Sequence, residues 1–372
     1  MIDYAIADPN LPFNEYLRQS HMILEQYRPD LKRSPLQASL IVETNMPFES
    51  RPTQTPVKYG ALLLHGLLDC PFSMRDLGGF LQNQGILCRA MLLPGHGTQP
   101  QDLMKTTYQD WLQAIQYGIH SLRQEVDKII LVGYSTGATL AIYHAQHDKN
   151  IAGIILLAPA IKLKSPIDVL LGWHSTIRRM RKNQQWLCLE DEIDYAKYRS
   201  VPLNPVTQLN KLMQLIKDKP LTCPLFIAMS REDETVSCRA AIKFFNQTAR
   251  SINRFLIYSA HQHRYADNRI ISKVIKTKNI DHYAHVSLPY SPNNFHYGEQ
   301  GDYAYASSTK AKDNIYGAYN RIESQCLDLL YTLGLSKNRY RELTYNPEFD
   351  FMTQKIGEFI SSLDSITSAK SS

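Results

Sequence analysis

Residues 129–138 read Ile-Ile-Leu-Val-Gly-Tyr-Ser-Thr-Gly-Ala, a short apolar strand running directly into Gly133-Tyr134-Ser135-Thr136-Gly137. A Gly-x-Ser-x-Gly sequence at a strand end implies a sharp turn into a helix. Such a turn lifts the serine Oγ clear of the sheet and leaves that serine in a strained backbone conformation. The residues two before and two after the serine come close together there, so only the smallest side chains fit at 133 and 137. The pattern alone arises by chance in many chains. What makes it informative here is its place between an apolar strand and the helical run 136–147.

The surrounding segments agree with that placement. Residues 57–64 are an apolar run ending in His65-Gly66, followed by the helix-like stretch 74–83. Residues 86–93 form a second strand closing on Pro94-Gly95-His96-Gly97, and 108–126 carry apolar residues at helical spacing (Trp111, Leu112, Ile115, Ile119, Leu122). Residues 151–157 read as a further strand. Near-continuous apolar strands alternating with helices predict a parallel sheet covered on both faces. Functional loops in such folds lie at the carboxyl ends of the strands, where His65-Gly66, Pro94-Gly95-His96 and the elbow all fall.

On these residues the chain resembles the α/β-hydrolase superfamily, within it the monoglyceride lipase, carboxylesterase and serine aminopeptidase group. The resemblance is carried by Leu62-Leu63-Leu64-His65-Gly66 with Ser73-Met74-Arg75, by Leu92-Leu93-Pro94-Gly95-His96-Gly97, by Asp110-Trp111, by the elbow, and by Ser230-Arg231-Glu232-Asp233-Glu234-Thr235-Val236. A narrower bacterial subgroup also shares Asn45-Met46-Pro47-Phe48, Ala284-His285-Val286, Tyr297-Gly298 and Tyr345-Asn346-Pro347. The likeness covers residues 40–360. It implies an α/β-hydrolase fold, a mostly parallel doubly wound sheet with a helical cap inserted after the sixth strand.

Domain organisation follows from where the alternation is interrupted. Residues 1–56 are expected to add an N-terminal helix (15–27) and a strand (40–44), and 57–160 to form the first half of the core. Residues 161–219 occupy the usual position of a cap. Residues 220–298 form the second half of the core with an insertion at about 264–280, where 270–276 read as an extra edge strand. Residues 299–372 start polar and tyrosine-rich, then turn helical at 315–333 and 349–363, and are expected to pack on the core.

A chain of 372 residues with 44% hydrophobic and 20% charged residues has ample material for a large core. The net charge of +6 is mild, no aromatic and basic residues alternate as in a single-strand binder, and nucleic acid is not an expected partner. Met1-Ile2-Asp3-Tyr4 lacks a charged, then apolar, export leader, and the longest apolar stretches are strand-sized. Cysteines 70, 88, 188, 223, 238 and 326 are scattered, with neither a disulfide framework nor zinc spacing. A cytoplasmic location is expected, with signal-free secretion left open.

Serine is a weak nucleophile until a histidine takes its proton and a carboxylate orients that histidine. In the fold implied by the resemblance the order along the chain is serine, acid, histidine. Ser230-x-x-Asp233-x-x-Val236 follows the family pattern Gly-x-x-Asp-x-x-Val with serine for glycine, which favours Asp233 as the acid. Glu232 and Glu234 beside it read as solvated charges. For the base, His261 and His263 directly follow the strand expected at 254–259. His285 lies in Asp281-His282-Tyr283-Ala284-His285-Val286-Ser287-Leu288-Pro289, with a small residue before it and apolar residues after it. That packing favours His285, and His261, His263, His282 and His296 stay as alternatives.

Backbone donors for an oxyanion are expected from the N–H of Thr136, at the start of its helix, and of Leu67, after His65-Gly66. His65 reads as a turn-shaping residue, His96 as loop structure and Trp111 as helix core. The cap carries Val169-Leu170-Leu171-Gly172-Trp173, Ile177, Met180 and Trp186 beside Arg178-Arg179-Met180-Arg181-Lys182. A cap helix with its apolar side on the core and its arginines in water is favoured over a transient lipid-surface contact.

The expected activity is hydrolysis of carboxylic esters, acyl glycerols or short to medium acyl esters, with Ser135, Asp233 and His285 as triad and no cofactor or metal. A thioesterase or serine aminopeptidase would use the same constellation, the latter with an acidic anchor for the substrate's amine drawn from Glu190-Asp191-Glu192 or Asp194. A non-catalytic binding protein on the same fold is the alternative of a different class.

Overall fold

The computed structural model describes residues 8–164, 185–217, 219–248, 250–303, 314–318, 331–333 and 335–368. The chain divides into two compact units, one of residues 1–155 with 165–223 and one of residues 156–164 with 224–372. In each unit the main-sheet strands are mostly parallel, the chain's first strand being antiparallel to its neighbour.

The first unit runs α1 (Phe13–Tyr27), α2 (Ala38–Asn45), β1 (Phe48–Ser50), β2 (Tyr59–Leu64), α3 (Arg75–Asn83), β3 (Leu87–Met91), α4 (Tyr108–Arg123), β4 (Lys128–Tyr134), α5 (Thr136–His147) and all but the last two residues of β5 (Ile151–Leu157). Its strands lie in the order β1-β3-β2-β4-β5. Every residue of β2 and β3 is buried, as a strand covered on both faces must be. β2 pairs in parallel with β3 and with β4, Leu64 standing opposite Gly133. A capping box fixes the start of α4: Thr107 Oγ1 accepts from the Asp110 N–H while the Asp110 carboxylate accepts from the Thr107 N–H.

The expected strand at 40–44 is instead part of α2. Its β-branched residues suggested extension, but Ile41, Val42 and Asn45 share one helix face, and Val42 packs with Leu24 and Leu92. Asn45 Nδ2 donates to the Ile41 carbonyl one turn back and to the Tyr195 carbonyl. Tertiary burial overrides the local propensity. The added strand is the short β1, antiparallel to β3 with Phe48 opposite Ala90.

Counted along this chain, the inserted segment comes after the fifth strand. The apolar and basic cluster at 169–182 lies outside the described residues. Beyond it the chain forms an antiparallel pair, β6 (Trp186–Cys188) and β7 (Val201–Pro202), and then α6 (Leu203–Ile216). α6 packs on α4 and α5, with Asn204 Nδ2 donating to the carbonyls of Leu103 and Thr106. Among the described residues no helix is long and apolar enough to cross a membrane.

The second unit contains β8 (Leu225–Ser230), α7 (Cys238–Asn246), β9 (Arg254–Ser259), β10 (Ile270–Val274), β11 (Asn314–Gly317), β12 (Arg339–Glu342) and α8 (Phe349–Ser368). Its sheet strands run β8-β9-β10, all parallel, and β10 is the edge strand inside the expected insertion. The helix expected at 315–333 begins differently. Residues 314–317 pair in parallel with β12, and Tyr316 exchanges backbone hydrogen bonds with Asn279 and Asp281. Residues 319–330 lie outside the described part. α8 buries Met352, Ile356, Phe359 and Leu363, a 3.6-residue stripe, with Phe359 against Phe226 of β8.

Candidate active site

Ser135 stands between β4 and α5 with φ +53° and ψ −111°, a left-handed backbone that a non-glycine residue adopts only under constraint. The constraint is visible in its glycines. A Cβ on Gly137 would fall on the carbonyl of Leu64, and one on Gly133 would fall on the backbone of Gly137. The helix start can therefore seat against the end of β2 only because both positions lack a side chain. Ser135 is 7% exposed.

The two expected oxyanion donors leave neighbouring strands in step. Leu64 and Gly133 are register partners, and Leu67 and Thr136 each lie three residues beyond that pair. Gly66 is squeezed between the two turns, since a Cβ there would sit 2.6 Å from Asp69 Oδ2 and 3.0 Å from the Tyr134 ring. Leu68 takes φ +68°, and its carbonyl accepts from the Tyr198 N–H at 2.8 Å. The loop that carries Leu67 is thus tied to the segment after β6.

His65 and His96 are fully buried; both ring nitrogens of His65 and Nδ1 of His96 meet loop backbone. His65 Nε2 accepts from the Leu93 N–H at 3.1 Å, so its Nδ1 carries the proton and donates to the Gly66 carbonyl at 2.8 Å. Burial, reinforced by the His96 ring, holds the His65 imidazole well below its ordinary range. His96 Nδ1 lies 3.1 Å from the Leu93 carbonyl, its ring is parallel to that of Tyr198, and burial pushes it down to about 4. Trp111 is fully buried and donates from Nε1 to the Pro94 carbonyl at 3.1 Å. These three residues shape the turn Pro94-Gly95-His96-Gly97.

In the second unit Asp233 follows β8. Its Oδ1 accepts from the N–H groups of Thr235 (2.9 Å) and Val236 (2.8 Å), and its Oδ2 lies 2.8 Å from His285 Nδ1. Asp233 is fully buried and His285 is 6% exposed. A carboxylate accepting from Nδ1–H puts the unprotonated nitrogen at Nε2, the tautomer that proton abstraction requires.

Packing fixes the His285 loop. Tyr283 lies on Tyr258 with ring centroids 4.8 Å apart, and Ser287 Oγ donates to the Ala284 carbonyl. The Asn346 N–H donates to the Tyr290 carbonyl at 2.8 Å, and Thr344 Oγ1 to the Tyr297 carbonyl at 2.7 Å. The segments Ala284-His285-Val286, Tyr297-Gly298 and Tyr345-Asn346-Pro347, which stood apart in the sequence, are joined here. By contrast His261 is exposed, and His263 sits half-buried on the same loop. His282 Nε2 lies 3.3 Å from the Ala318 carbonyl, and His296 is buried among Tyr297 and Tyr303.

The glutamates flanking Asp233 are not the solvated charges the sequence suggested. Glu232 accepts from Ser259 Oγ at 2.7 Å. Glu234 accepts from the backbone N–H of His285 with both oxygens, at 3.0 and 3.2 Å. Half-buried beside Asp233, Glu234 has its carboxyl pushed up to about 7, first by desolvation and then by the Asp233 charge. Sequence reasoning missed it because consecutive acids in a polar loop look alike until a distant backbone amide meets one of them.

Comparison with known proteins gives the same assignment of fold. The chain is 32% identical over 179 residues to a thermostable monoacylglycerol lipase of Bacillus sp. (strain H-257), covering 48% of this chain and 71% of that one. It is 25% identical over 189 residues to a carboxylesterase of Bacillus subtilis (strain 168), covering 50% of this chain and 76% of that one. Among solved structures, one described with the metagenome-derived lipolytic enzymes LipS and LipT superposes with a TM-score of 0.50 at 23% identity. That match covers 57% of this chain and 86% of the other, and it is a likeness of fold. The family described as serine aminopeptidase, S33 matches residues 56–267, a stretch that contains Ser135 and Asp233 and ends before His285. With more than half of its length matched, the chain belongs to this family of α/β-hydrolases.

Proposed function

We propose that this protein hydrolyses carboxylic esters, acyl glycerols or short to medium acyl esters, by way of an acyl-enzyme. The observation that carries the proposal is Ser135 at φ +53° on the turn from β4 to α5, since strain of that kind persists where surroundings over-determine it for use. Ser135 Oγ attacks the ester carbonyl carbon while His285 Nε2 takes its proton. Asp233 holds Nδ1–H and stabilises the imidazolium. The carbonyl oxygen gathers negative charge and is received by the N–H groups of Leu67 and Thr136. Collapse of the tetrahedral species passes the proton to the leaving alcohol and leaves an acyl group on Ser135. Water, deprotonated by the same imidazole, then releases the acid and restores the serine.

Both Bacillus relatives are named for ester cleavage, a lipase and a carboxylesterase, which supports an ester over an amide. Three of the four acids that could have anchored a peptide's amine are engaged otherwise. Glu190 pairs with Arg199 at 2.8 Å, Glu192 accepts from the N–H groups of Arg199 and Ser200, and Asp194 accepts from that of Ala196. The test is labelling by a fluorophosphonate probe followed by a panel of p-nitrophenyl acyl esters, a monoacylglycerol, a thioester and an aminoacyl amide. Labelling with turnover of the esters supports the proposal. Absence of labelling refutes catalysis by this serine, and preference for the amide would make the protein a peptidase.

A further inference from the structure

Within the second unit, two consecutive carboxylates meet the same histidine from different sides. Asp233 takes the ring through Nδ1, and Glu234 takes the main chain of the same residue through its N–H. The two contacts demand one loop conformation. Asp233 Oδ1 is also pinned by the amides of Thr235 and Val236, so the acid that meets the ring and the acid that meets the main chain are held by one loop. Glu234 Oε1 also accepts from Thr235 Oγ1 at 3.3 Å, which orients the carboxylate from its own loop.

From this geometry we infer that Glu234 is a positioning residue for His285, fixing the backbone of the imidazole that Asp233 fixes by its ring. The inference rests on His285 being the base proposed above. The groups facing the Glu234 carboxyl are Asp233 and the Thr235 hydroxyl from its own loop, His285 from the loop 281–290, and Glu342 from β12. Two of these are acids, so the carboxyl resists ionisation; its proton is held into the neutral range, with the half-buried site as the main cause. The imidazole of His285 works against that, since its positive form favours ionised Glu234. Protons on Glu234 and His285 are therefore exchanged between interacting sites, and a rate profile reports them jointly.

A purely structural brace would lower stability and leave the shape of the pH profile alone. A positioning carboxylate moves both. Without the Glu234 charge the protonated imidazole loses a favourable neighbour, so the pH at which activity is lost on the acid side falls. Glu234→Gln keeps one oxygen as acceptor for the His285 N–H and removes the charge, whereas Glu234→Ala removes both.

The experiment measures kcat, KM and the kcat/KM pH profile of wild type, Glu234→Gln and Glu234→Ala on p-nitrophenyl butyrate. Fluorophosphonate labelling rates and thermal unfolding are followed in parallel. The His285 ring is titrated by NMR in wild type and Glu234→Gln, its resonance assigned by its loss in His285→Asn. The expected result is a kcat about 10- to 100-fold lower in Glu234→Ala, as a displaced catalytic group costs, with KM within about two-fold. Glu234→Gln is expected to recover most of kcat. Its acid limb should lie about half a pH unit lower and be steeper, with the His285 titration moving the same way. Wild-type rates and an unmoved limb in both variants, with labelled and active wild type, overturn the inference alone. A wild type that is neither labelled nor active overturns the ester hydrolase proposal. In that case an unmoved His285 titration in Glu234→Gln overturns the coupling as well.

Discussion

Asp233 Oδ2 lies 2.8 Å from His285 Nδ1 across 52 residues of sequence, between a carboxylate with no exposed surface and a ring almost as deeply buried. The separation is long for an acid and its histidine because β10 and the loop after it intervene. Burial makes the pair strong and also makes it intolerant. Substituting Asp233 by asparagine leaves the two backbone amides at 235 and 236 an acceptor at the amide oxygen. The amide NH2 then faces Nδ1 and imposes the wrong imidazole tautomer. Asp233→Asn is expected to lower kcat by about 10⁴-fold with the fold retained, as seen by circular dichroism. Glu232→Gln, which keeps an acceptor for Ser259 Oγ, is expected to stay near the wild-type rate. A dead Glu232→Gln beside an active Asp233→Asn would move the acid one residue back.

Ser135→Ala tests the nucleophile. The strained turn is imposed by Gly133, Gly137 and the end of β2, none of which the substitution touches, so the fold and melting temperature are expected to be retained. Only Oγ is lost. Ester turnover should fall by about 10³-fold or more, and fluorophosphonate labelling should vanish. Hydrolysis near the wild-type rate by a purified Ser135→Ala sample would remove Ser135 from the chemistry.

Acid is expected to weaken the fold through histidines that do no chemistry. Burial pushes His96 and His144 from 6.5 to about 4, and His65 moves in the same direction. Between pH 4 and 6.5 the unfolded chain then binds more protons than the folded one. Stability is therefore complete above pH 6.5 and is lost as pH falls toward 4, by at most about 3 kcal/mol for His96 or His144 taken singly. Thermal unfolding at steps from pH 7.5 to 4.5 checks the sign, and His144→Gln should flatten the slope. A melting temperature that rises on acidification would contradict it.

Much of the first unit was legible because its signals are local. An apolar strand, a glycine, a serine and a glycine suffice to place an elbow, and His65-Gly66 or Pro94-Gly95-His96 mark strand ends by turn chemistry alone. The failures share a cause. Residues 40–44 carry the composition of a strand, yet Val42 gains burial against Leu24 and Leu92 by sitting on a helix, a partnership visible only in three dimensions. Residues 314–317 look helical when read onward, but pair with β12 across a long stretch of chain. Glu234 was hidden for the same reason. Its partner is a main-chain amide, which leaves no trace in the identity of residue 285.

The last prediction concerns which histidine is the base. The family match ends at residue 267, within reach of His261 and His263, so homology alone leaves the shorter acid-to-base spacing open. Environment separates them. His261 is exposed, and its backbone N–H donates to Ser259 Oγ. His285 is 6% exposed, has Asp233 on Nδ1, Glu234 on its N–H, and buried Ala284 and Leu288 on either side. A base must keep one orientation through the catalytic cycle, and a ring on an exposed loop lacks the packing that would hold it. His285→Ala is therefore expected to lose about 10³-fold or more in kcat and to react with fluorophosphonate far more slowly. His261→Ala and His263→Ala should each stay within about two-fold of wild type, the range of surface substitutions. All three variants should melt as cooperative units, so that a lost rate reports chemistry and not unfolding. An inactive His261→Ala beside an active His285→Ala would return the base to the shorter loop and leave residues 281–290 as packing alone.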